Sequence, residues 1–95
     1  MRMLLNVRIP HQQFNAAVKD GTVGSKIERI LEATKPEAVY FTLEDGKRCG
    51  VFVFDMKESS MMPALLEDMF HAVGAEVQLT PCMTPDELRA GLAAK

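Results

Sequence analysis

The chain has no tryptophan, one tyrosine and five phenylalanines, too few aromatic faces to form a platform on which single-stranded nucleic acid stacks. It also lacks a basic surplus. Eleven Lys and Arg stand against 13 Asp and Glu, for a net charge of −2, which leaves no electrostatic footprint for a phosphate backbone. Nucleic acid is therefore not an expected partner. Only two cysteines occur, Cys49 and Cys82, in no CxxC or Cys/His spacing, so neither a disulfide scaffold nor a zinc cluster is indicated and both thiols are expected to be free and reduced. No stretch approaches the roughly 20 consecutive apolar residues that cross a bilayer, and no membrane association is expected. The apolar opening Met1 to Ile9 is interrupted by Arg2, Asn6 and Arg8. No small-residue cleavage site follows it, so it does not read as a secretory leader and a cytoplasmic location is expected.

Motifs that carry chemistry are equally scarce. Gly21 and Gly24 do not lead from a strand into a helix at phosphate-loop spacing. Ser59 and Ser60 have no His/Asp partners at a recognisable spacing. Two histidines without matched carboxylates or thiolates do not make a metal site, and no cofactor is implied.

What is present is a well-patterned chain of 95 residues, 47% apolar and 25% charged, long enough for one hydrophobic core and too short for two. A single domain over residues 1–95 is expected. Met3, Leu5, Val7 and Ile9 alternate with Arg2, Leu4, Asn6 and Arg8, the period-two pattern of a strand with one apolar face. From His11 to Thr34 the period becomes helical, broken at Asp20-Gly21-Thr22-Val23-Gly24. This predicts a short helix and then a longer one that Ser25 caps. Two β-rich runs, Ala38 to Glu44 and Lys47 to Lys57, flank Asp45-Gly46, the pair best suited to the positive φ angles of a type I′ turn. Positions summing to 91 then face each other, Tyr40 opposite Val51 and Phe41 opposite Gly50. A second helix, capped by Ser59 or Ser60 with Pro63 in its first turn, carries the stripe Met62, Leu65, Leu66, Met69, Phe70 and Val73. Ala75 to Cys82 alternates again as a fourth strand, and Thr84-Pro85-Asp86-Glu87 is a capping box that starts a short last helix.

Strand, helix, hairpin, helix, strand is the split βαβ order. Right-handed crossovers then place both helices on one face of a four-stranded antiparallel sheet, in the order 4-1-3-2. The fold class expected is α+β, ferredoxin-like βαββαβ. The helices should cover Met3, Leu5, Val7, Phe41, Phe52, Phe54, Val77 and Leu79. The other face mixes Leu4, Tyr40, Val51 and Val53 with Asn6, Arg8, Thr42, Gln78 and Thr80. Such a face is too apolar to be left wholly in water, and a second copy of the chain is the expected cover.

The opening MRMLLNVRIP, the hairpin AVYFTLEDGKRCGVFVFDM and the trailing MTPDELRAGL resemble a small bacterial branch of the dimeric α/β barrel superfamily, related to muconolactone isomerase-like and antibiotic-biosynthesis-monooxygenase-like proteins. The resemblance implies a homodimer with its sheets face to face and a ligand in or beside the barrel. The activities it spans run from cofactor-free oxygenation and isomerisation to decarboxylation, haem binding and ligand sensing, so it constrains function little.

Topology suggests where chemistry would sit. In an antiparallel sheet Arg8 faces Glu76 and Asn6 faces Gln78, while His11 opens the first helix and His71 closes the second at the same end. Arg8, His11, His71 and Glu76 are thus expected along one rim, with Tyr40 and Asn6 on the open face. Each has a plainer role: an Arg8–Glu76 ion pair, helix-terminal histidines, a tyrosine packed at an interface. The leading expectation is a dimeric module that binds a small, partly apolar or anionic molecule. The alternatives are a cofactor-free isomerase or monooxygenase, with His11 or His71 as base and Arg8 or Asn6 holding an enolate, and a purely structural subunit.

Overall fold

The computed structural model describes residues 1–94. The alternating opening forms strand β1 (Arg2–Ile9), and its odd-numbered residues are all buried. Helix α1 (His11–Asp20) stops at Gly21, whose φ of 79° is readily reached only without a Cβ. Helix α2 (Val23–Thr34) begins two residues before Ser25. Ser25 does not cap it. Its Oγ donates to the Thr22 carbonyl at 2.9 Å, because Gly24, close to the helix start, costs too little to hold the first turn back.

Strands β2 (Ala38–Glu44) and β3 (Lys47–Asp55) are joined by Asp45 and Gly46 with φ of 52° and 74°, the two-residue turn that the Asp-Gly pair predicts. Tyr40 lies opposite Val51, Phe41 opposite Gly50 and Thr42 opposite Cys49. Helix α3 (Met62–Val73) follows a 3₁₀ turn at Ser59–Met61, and neither serine caps it. Ser60 Oγ turns instead to the Glu58 carboxylate at 3.3 Å. Pro63 explains this, since it presets φ in the first turn and has no N–H to satisfy. Strand β4 (Glu76–Pro81) and helix α4 (Pro85–Ala93) complete the chain.

The sheet order is β2-β3-β1-β4, antiparallel throughout, so the chain has the α+β, ferredoxin-like βαββαβ fold. Its core lies between one sheet face and the helices, where Leu5, Phe52 and Phe54 are at most 1% exposed against Ile30, Leu65, Met69 and Val73. Coverage stops short of the β2 edge. Phe41 and Leu43 point to the helix side yet remain 62% and 69% exposed, contrary to the expectation that helices cover the whole face, because α2 packs over β3. The opposite face is bare and reads in rungs: Thr80–Leu4–Val53–Ala38, Gln78–Asn6–Val51–Tyr40 and Glu76–Arg8–Cys49–Thr42.

Helix α4 stands off this body with every residue exposed. Its capping box is complete: the Glu87 amide donates to Thr84 Oγ1 at 3.1 Å and the Thr84 amide to Glu87 Oε1 at 2.8 Å. The Thr84 amide, then its hydroxyl, then Arg2 hold the Glu87 carboxyl below its ordinary value of 4.5. A carboxyl depressed in the folded state stabilises above its unfolded pKa and ceases to as pH falls through the folded one. Helix α4 should therefore fray in acid below about pH 4.5 while the core persists. Amide exchange at Glu87 and Leu88, followed from neutral pH downwards, checks this.

Candidate functional site

On the open face β1 sets Arg8 between Glu76 of β4 and Cys49 of β3. Its guanidinium lies 3.8 Å from Glu76 Oε1, but closer to the hairpin turn, 2.7 Å from Asp45 Oδ2 and 3.7 Å from Glu44 Oε1. Lys47 Nζ holds the other Glu76 oxygen at 2.7 Å, and this bond and charge, with a smaller contribution from Arg8, keep the Glu76 carboxyl below its usual range. Asn6 Nδ2 donates to Glu44 Oε2 at 2.7 Å while its Oδ1 accepts from the Cys49 thiol at 3.0 Å. Burial, then the Glu44 charge, push the Cys49 thiol up, so it stays protonated and unreactive at neutral pH. Cys82 lies at the other end of β1, its amide bonded to the Arg2 carbonyl. Six residues of strand, about 20 Å, separate the two cysteines, far beyond disulfide reach.

This cluster satisfies itself: an anion reaching Arg8 would have to displace carboxylates already there. Arg8→Met should cost about 1 kcal/mol or less, the cost shrinking as salt is raised, because partly exposed pairs in water contribute little. Urea unfolding at low and high ionic strength reads the difference.

The histidines do not join the rim. His71 Nε2 lies 3.2 Å from Glu67 Oε2 on its own helix and its side chain is 82% exposed; His11 is exposed at the start of α1. Topology brings these helix ends to one end of the sheet, but the pleat sends the Arg8 side chain to the open face while both helices pack on the other. The grouping expected of Arg8, Glu76 and two histidines is thus reduced to Arg8 and Glu76. Tyr40, 71% exposed, stands on the open face beside Val51.

The recess that the sequence reading missed is on the helix side. The rung Val77–Val7–Gly50–Phe41 has no side chain at Gly50, where the Phe52 and Phe41 rings close in over the backbone, and Phe14 of α1 with Ile27 and Ile30 of α2 line the space beside them. Val7, Ile9 and Phe52 form the floor and walls of a cleft of about 290 Å³, at the small end of ligand pockets. Arg48 sits at its mouth, its guanidinium carbon 4.2 Å above the Phe14 ring and its Nη1 donating to Asn15 Oδ1 at 2.9 Å. Among the described residues Arg48 has no carboxylate within ion-pair distance. The glycine inside a strand was the available signal, since such a residue often marks a close approach or a ligand. A second hollow, of about 400 Å³ and lined by Lys35, Asp55, Lys57 and Met61 among others, is more polar. The smaller cleft is the better candidate because its walls are almost wholly apolar and come from both the sheet and the helices.

No protein-family model matches the chain, and no curated protein matches it significantly. Solved structures of similar shape include the de novo designed protein Ferredog-Diesel, at 9% identity and a TM-score of 0.45 over 85% of each chain. MupZ from Pseudomonas fluorescens is similar at 16% identity and a TM-score of 0.43, over 97% of this chain and 81% of that one. The fold assignment rests on strand order and register, not on these likenesses.

Proposed function

We propose that the chain is a binding module for a small, largely apolar molecule bearing an anionic group. In this reading the apolar part enters the cleft over Gly50 and the anion meets Arg48. Two copies pair through the open sheet face, whose exposed apolar residues need a cover. The observation that carries the reading is a guanidinium with no carboxylate partner among the described residues, at the mouth of an apolar cleft. It favours anionic over neutral ligands, and its planar fork suits a carboxylate.

Calorimetry with decanoate and decanol, which share a chain and differ in charge, tests it. Decanoate should bind about tenfold or more tightly than decanol, the worth of one charge-assisted bond. Arg48→Met should abolish that preference and leave decanol binding unchanged. Absence of binding by either compound, or a preference that survives Arg48→Met, would refute the assignment.

A further inference from the structure

Helix α4 and the open sheet face are two uncovered apolar surfaces of one chain, and their areas are informative. The chain exposes 6297 Å², whereas a compact monomer of 95 residues exposes roughly 5,400 Å². The excess, roughly 900 Å², matches the ~800 Å² that each partner buries in a standard interface. Shape agrees: the radius of gyration is 15.0 Å and the longest extent 54 Å, against the roughly 12–13 Å radius of a compact domain this size.

Every residue of α4 is exposed, so the helix adds to this excess. Leu88 and Leu92, one turn apart on one side of the helix, are 47% and 64% exposed, and Met83 just before it is 63% exposed. A nine-residue helix is marginal in water without packing, yet this one has a complete cap and an apolar stripe that the described residues leave largely exposed. Its first turn is tied to the edge of the open face, where Arg2 bridges Glu37 at 2.6 Å and Glu87 at 2.7 Å. That tie and the capping box leave only Cys82 and Met83 to turn the chain after β4, so α4 is directed away from its own sheet.

We infer that α4 is an exchanged arm: in the pair of copies, Leu88 and Leu92 of each pack on the open sheet face of the other, against Leu4, Tyr40, Val51 and Val53. This rests on the pairing proposed above and adds what holds the pair together. A two-fold pair makes the exchange twice, closing the assembly.

Light scattering and sedimentation of wild type and of Leu88→Glu/Leu92→Glu test it, with circular dichroism to confirm that the exposed substitutions leave the fold intact. Wild type should be dimeric at micromolar concentration, and the double variant should dissociate about a hundredfold more readily. In a Cys82→Ser background, Leu88→Cys with Val51→Cys and a short bis-maleimide should give crosslinks between chains. A wild-type monomer would overturn both the pairing and the arm. A dimer indifferent to Leu88→Glu/Leu92→Glu, or crosslinks within one chain only, would overturn the arm and leave the pairing standing.

Discussion

Phe52→Ala should lower the unfolding free energy by about 3–5 kcal/mol, the usual range for emptying a buried phenylalanine site. The ring is 1% exposed, shares a rung with Leu5 and Val39, and meets Phe41 edge-on at 6.1 Å and 89°. A 95-residue domain has a total stability of about 5–14 kcal/mol, so this one change should remove between about a fifth and all of it. The urea midpoint should fall with little change in slope, since the surface exposed on unfolding is nearly the same. A loss under about 1 kcal/mol would mean that the ring is not in the core, contradicting the register of β1, β2 and β3.

Gly50→Val should close the cleft and destabilise by about 1–3 kcal/mol, an overpacking cost. A Cβ at position 50 meets Phe52 Cε1 at 2.8 Å, Phe52 Cζ at 3.1 Å and Phe41 Cε1 at 3.3 Å, so the Phe52 ring must shift, and the cleft it lines is the space it would shift into. Removing a glycine from a strand recovers about 0.5–1 kcal/mol, which offsets part of the cost but not the clash. The cause is testable by a double-mutant cycle. With Phe52→Leu the ring is gone and the penalty at position 50 should largely vanish, a coupling of about 0.5–3 kcal/mol. Decanoate binding should be lost in Gly50→Val even at temperatures where the variant is fully folded. Retained binding would place the ligand elsewhere.

Much of the architecture was legible because it depends on short-range rules. The alternation in β1, the Asp45-Gly46 turn with its register, and the Thr84–Glu87 capping box each follow from residues a few positions apart. Strand order followed from the handedness of crossovers, and the facing of Arg8 with Glu76 followed from the order. The serines at 25, 59 and 60 were misread because cap preference is weak beside a proline in the first turn or a glycine near the helix start.

The candidate site was the least legible part. Sequence position assembled Arg8, Glu76, His11 and His71 by their nearness to one end of the sheet, but which face a side chain takes depends on the pleat and on where the helices pack. Arg8 accordingly went to a carboxylate cluster and the histidines to solvent. The cleft needs Phe14, Ile30, Phe41, Gly50 and Phe52 together, residues from four elements up to 38 positions apart. Local patterning determined the elements, their order and the alternation of their faces, because those properties are set within a turn or a rung. The tertiary structure alone decided that α2 stops over β3, that a recess opens beside Gly50 beneath it and that α4 points away from the body, because these depend on how much surface each packed element can reach.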